Sequence, residues 1–96
     1  MHVLALRVEL HLPGCRTLKQ KRAAVRPVVD GLRARHRVSV AEVDHQDEYQ
    51  LATVGVALVS GSVRTCEELA DEIERFIWSR PDVEVVEIVR SWLEED

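Results

Sequence analysis

The sequence predicts an α+β fold in which two helices lie on one face of a four-stranded antiparallel sheet. Three observations carry that prediction. Residues 3–12 alternate, with Leu4, Leu6, Val8, Leu10 and Leu12 pointing one way and Val3, Ala5, Arg7, Glu9 and His11 the other; a period of two marks a half-buried strand. Two later segments instead space their apolar residues at the 3.6-residue period of a helix. Between them a polar stretch, Asp44 to Gln50, separates two strand-like runs as a hairpin connection does.

Taken in order, the first strand ends at Pro13-Gly14, and Cys15-Arg16 lead into a helix spanning Thr17 to Arg37. Its apolar stripe comprises Leu18, Val25, Val29, Leu32 and His36, with Val28 at the edge. Thr17 followed by Gln20 has the form of a capping box, in which each side chain satisfies an amide left over at the helix start. Pro27, opposite Leu18 on the helical wheel, removes one helix hydrogen bond and predicts a bend. Gly31 costs about 1 kcal/mol in helix propensity, so packing has to hold this helix. Val38 to Val43 reads as a second strand and Leu51 to Ser60 as a third. Gly61-Ser62 turns the chain into a second helix, capped by Ser62 or Thr65 and running to about Ser79, with Cys66, Leu69, Ile73, Phe76 and Ile77 inward. Pro81 stops it, Asp82 to Arg90 forms a fourth strand, and Ser91 to Asp96 an acidic tail. With right-handed crossovers the sheet order is 4-1-3-2, which is the ferredoxin-like fold.

Ninety-six residues, 46% hydrophobic and 31% charged, describe one ordinary globular domain without membrane-spanning runs or a signal-peptide pattern, and predict a cytoplasmic protein. Two cysteines far apart in sequence make no disulfide framework and no zinc or iron–sulfur ligand set, and Cys15 and Cys66 are expected at opposite ends of the sheet. The histidines, His2, His11, His36 and His45, lack ligand spacing. No metal or other cofactor is expected, and no catalytic residue is assigned. The Gly14-Cys15-Arg16 loop is the one place an enzyme could act, but Cys15 and Arg22 are one residue too far apart for a thiolate phosphatase, and the chain has no asparagine for an acylphosphatase-like site. RNA recognition by stacking on the sheet is excluded too. Arg7, Glu9, Thr53, Gly55 and Ala57 occupy the platform positions, and none is aromatic.

Charge is more informative. From Arg16 to Arg37 there are eight basic residues and one acid, Asp30, a net +7 within a chain of −4. Lys19, Arg22, Arg26, Arg33 and Arg37 recur on one flank of the first helix, where they can neutralise successive backbone phosphates. With Lys21, these residues form the predicted RNA contact. The competing reading pairs the flank with Glu68 and Glu72 of the second helix. Separately, the open sheet face carries Val3, Ala5, Arg7, Ala57, Val59 and Val85, an apolar surface that a second copy would cover. On that face Arg7 is expected between Glu87 and Glu42. Tyr49 and Trp78 are left partly exposed, Trp78 against the C-terminal tail.

The segments RVELHLPGCRTLKQKR, VSVAEVDHQDEYQLATVGVALVS and CEELADEIERF resemble the YlxP-like family of small bacterial proteins, over nearly the whole chain. Leu18, Lys19, Lys21, Arg22, Glu42, Gln46 and Asp47 belong to the shared pattern. The chain departs from it at Asp44-His45, where a small residue is common, and at Tyr49, where tryptophan is common. The resemblance implies a ferredoxin-like fold, frequent homodimers and genes neighbouring those for ribosome maturation, with no catalytic residues. Together these readings predict a non-enzymatic accessory protein that contacts ribosomal RNA or a ribosomal particle through its first helix. The alternative is a homodimeric interaction or small-ligand domain built on the sheet face.

Overall fold

The structure, a computed structural model, describes residues 1–93. Its elements are β1 (His2–His11), α1 (Leu18–Arg35), β2 (Ser39–Asp44), β3 (Leu51–Ser60), α2 (Val63–Trp78) and β4 (Glu84–Leu93). The sheet runs β2-β3-β1-β4, every neighbouring pair antiparallel, as the ferredoxin-like reading requires. The inward residues of β1, Leu4 to Leu10 at every second position, are almost fully buried with Val54, Val56 and Leu58 of β3 and with Val25, Val28, Leu32, Ile73 and Ile77 of the helices. Cys15 and Cys66 are both buried and free.

The helix starts follow from their caps. Gln20 N–H donates to Thr17 Oγ1 at 3.1 Å, while Gln20 Oε1 accepts from the Arg16 amide at 2.6 Å, one residue earlier than a capping box places it. Ser62, not Thr65, caps α2, accepting from the Thr65 amide at 3.3 Å. The helix α1 continues through Pro27. Gly31 also has a packing reason: a Cβ there would lie 2.4 Å from Cζ of Phe76, so its bare backbone lets α2's ring rest on α1.

Two boundaries differ from the sequence reading in ways that move side chains. β4 extends to Leu93, so Ser91–Leu93 belong to the sheet and only residues 94–96 of the expected tail remain, outside the described residues. A register shift against β1 between Glu9 and Leu10 pairs Val85 with Leu10 and Glu87 with Glu9. Two β4 residues there span one step of β1, and Val85 is turned to the helix side, packed against the core. Val85 is therefore not part of the open face, contrary to the simple alternation. Trp78 is exposed near the end of α2, while Leu93 pairs with Val3 at the opposite end of the sheet from Glu84, which follows α2. The described end of β4 does not cover it.

Candidate functional site

The buried arc of α1 is Lys21, Val25, Val28 and Leu32. On the wheel it lies roughly 40° from the centre of the stripe read from apolar residues alone, and Leu18, Val29 and His36 are only half-buried. That rotation decides the fate of the predicted RNA ligands. Lys21, 2% exposed, points inward, with Nζ 2.9 Å from Glu42 Oε1 of β2 and donating to the carbonyl of His45. Its ammonium is engaged inside the protein and cannot reach a phosphate, so Lys21 leaves the candidate interface. Two of the sequence's distinctive motifs, LKQKR and SVAEV, meet at this pair.

His45 has φ 60°, in the left-handed region that non-glycine residues rarely adopt. Its amide donates to Asp44 Oδ1 at 2.8 Å and its carbonyl accepts from the Glu48 amide at 3.0 Å and from Lys21. Lys21 thus ties the first helix to the β2–β3 turn.

The remaining cations stay at the surface. Lys19, Arg22, Arg26, Arg33 and Arg37 are exposed, but α1 ends at Arg35 and the extended backbone of His36 puts Arg37 beyond the helix, so the helical period does not place it on the flank. Arg22, Arg26 and Arg33 line a groove between α1 and the edge strand β2, with Val25, Val29 and Glu42. The flank is turned toward β2, away from α2. Among the described residues Lys19, Arg22, Arg26 and Arg37 have no ion-pair or hydrogen-bond partner, whereas Arg33 donates to the Val40 carbonyl of β2 at 2.6 Å. Glu68, Asp71, Glu72 and Glu74 of α2 face other cations. Arg64 binds Glu68 at 3.0 Å within the helix, His36 Nδ1 lies 3.8 Å from Glu72, and Arg90 of β4 binds Asp71 at 2.7 Å and Glu74 at 2.6 Å. Those carboxylates hold the Arg90 pKa above its ordinary value, the Asp71 hydrogen bond contributing most. Pairing of the basic flank with α2, the competing sequence reading, is not what the fold builds.

On the opposite face, Val3, Ala5, Arg7, Ala57 and Val59 lie where the alternation places them. Cross-strand rows run Val59–Val3–Leu93, Ala57–Ala5–Ser91 and Gly55–Arg7–Val89. Val59 and Leu93 are 62% and 65% exposed. Arg7 binds Glu9 at 2.9 Å and Asp44 at 3.3 Å, not Glu87 and Glu42, because Glu42 sits on the helix side with Lys21. Thr53 donates to the other Glu9 oxygen at 2.6 Å, extending the network across the sheet. Among the described residues no cluster of histidine, cysteine, aspartate or glutamate could hold a metal ion, and no helix is long and apolar enough to cross a membrane. Cys15 is buried in a loop fastened by its own amide to the Leu12 carbonyl at 3.1 Å and by Gln50 Nε2 to its carbonyl at 3.3 Å.

Residues 3–90 match a family described as "Protein of unknown function (DUF503)". The chain belongs to that family. It is also 32% identical over 68 residues to the "Uncharacterized protein YlxP" of Bacillus subtilis (strain 168), covering 71% of this chain and 74% of the relative. Both agree with the YlxP-like resemblance in the motifs.

Proposed function

We propose that this DUF503 protein is a non-enzymatic accessory of ribosome maturation or translation that contacts RNA through the outer flank of α1. One observation carries the reading: Lys19, Arg22 and Arg26 on the outer flank of α1, and Arg37 just beyond its end, are exposed with no carboxylate partner among the described residues. An acidic chain, of net charge −4, has concentrated unneutralised cations on one ridge. Their stems can pack along the helix while their heads meet successive phosphates. The ribosomal setting rests on the family resemblance and the RNA contact on the charge geometry. Arg33 contributes its remaining N–H groups while holding the edge of β2.

The test is co-sedimentation with purified ribosomal particles at two salt concentrations, comparing the parent with Lys19→Glu/Arg22→Glu/Arg26→Glu. Arg33 is left in place because its loss would also release Val40. The parent should bind with log affinity falling against log salt at a slope of about −3 for about four phosphates. The variant should fold and not bind. Binding that survives the three reversals, or a parent with no salt-sensitive binding, would overturn the reading.

A second reading is favoured by the open sheet face, where Val59, Leu93, Val43 and Val89 remain 62%, 65%, 48% and 42% exposed. Self-association through this face is compatible with RNA contact, because the basic flank belongs to the opposite layer.

A further inference from the structure

The geometry points to a second phosphate-binding site, formed by Arg35, Arg75 and Arg80 around the ring of Phe76 where α1 crosses the C-terminal half of α2. Arg35 and Arg80 hold their guanidinium carbons 4.8 and 5.8 Å from the Phe76 ring centroid. Arg75 lines the adjoining groove with Arg35, His36, Glu72 and Ser79. None of the three arginines has a carboxylate partner among the described residues. The one acid lining this groove, Glu72, has His36 Nδ1 3.8 Å away.

A guanidinium stacked on an aromatic face is fixed in orientation and keeps its edge N–H groups free for an oxyanion, a geometry lysine does not offer. Phe76 is itself fixed, because its ring rests on Gly31. Arg35 and Arg80 are therefore held against the ring before any ligand arrives, which lowers the entropic cost of binding. The cluster lies across α1 from Arg22 and Arg26, on the α2 side. The ligand chemistry is phosphate. That its source is the same nucleic acid held by the α1 flank rests on the function proposed above, whereas the oxyanion chemistry does not.

Two measurements separate these levels. Inorganic phosphate is titrated at constant ionic strength while the arginine Nε–H resonances are followed by NMR, in the parent and in Arg75→Gln/Arg80→Gln. Saturable shifts at Arg35 and Arg80 in the parent, lost at Arg35 in the variant, are expected; their absence in the parent overturns the site. Purified ribosomal RNA is then titrated at several salt concentrations. Removing two contacts should make the log–log salt slope shallower by about 1.5. An unchanged slope beside a positive phosphate titration would overturn the nucleic-acid source and leave a site for free phosphate. A parent that takes phosphate but binds no RNA would sink the proposed function alone. Unchanged thermal unfolding of the variant keeps both comparisons meaningful.

Discussion

Lys21 Nζ lies 2.9 Å from Glu42 Oε1, a buried cation of α1 against a carboxylate of β2 that is 26% exposed. Apart from that ion pair, Glu42 Oε1 has no hydrogen-bond partner among the described residues, so the pair depends on the Lys21 charge. Lys21→Met keeps the volume and strands Glu42. Removing one partner of a buried pair costs about 3–5 kcal/mol, and the partial exposure of Glu42 puts the expected loss near the lower end. Lys21→Met/Glu42→Leu should recover a large part of it. Urea unfolding midpoints of both variants check this, and a double variant no better than the single would refute it.

This pair also shows what was legible in the sequence. The apolar and polar periods of β1, β3 and α2 report directly on which side is wet and identified those elements, and the right-handed crossover rule then gave the strand order. A buried lysine reports falsely. Counting Lys21 as a surface residue turned the stripe toward Leu18, Val29 and His36, and it joined the RNA ligands only through its charge. Val85 was misplaced for a different reason: counting by twos from Glu87 ignores the break in alternation at Val85-Val86, where the bulge turns Val85 back to the core side. The exposed flank was legible for Lys19, Arg22, Arg26 and Arg33, which keep helical spacing within α1; Arg37 was not, because the helix ends at Arg35. The cluster at Phe76 was not, because its members come from both helices and the following loop.

Gly31→Ala sets two effects against each other. Helix propensity favours alanine by about 1 kcal/mol, but the new Cβ would meet Phe76 Cζ at 2.4 Å. Displacing a ring flanked by two guanidiniums should cost about 1–3 kcal/mol, so the variant is expected to be destabilised by roughly 1 kcal/mol. With Phe76→Leu already present, the same substitution should become neutral or stabilising. Thermal unfolding of the four proteins in this cycle measures the coupling, and additive effects would show that the ring moves freely.

Acid should weaken the hairpin contact made by Asp44. The His45 amide hydrogen bond, then the His45 charge, and to a smaller extent Arg7, hold the Asp44 pKa below its ordinary value. A carboxyl with a lowered folded-state pKa contributes stability above its unfolded value and loses it as pH falls through the folded one. The contribution should therefore be intact at pH 5 and fade below about pH 4. Asp44→Asn should flatten the acid side of the stability–pH curve, with no change in slope above pH 5. Equal slopes for parent and variant between pH 5 and pH 3 would contradict the assignment.

The row Val59–Val3–Leu93 closes one end of the open face, and the row Thr53–Glu9–Glu87 begins its acidic half. Two copies meeting through the apolar rows would bury Val59 and Leu93 while a two-fold axis near Ala5 keeps Glu9 and Glu87 of the copies apart. Such an isologous contact is the simplest closed assembly for a surface of this kind. Light scattering at micromolar concentration should then give the dimer mass. Val59→Lys/Val89→Lys places like charges on the face without touching the core, so it should yield monomers with an unchanged melting temperature. A parent that remains monomeric would remove the second copy as the partner of this face.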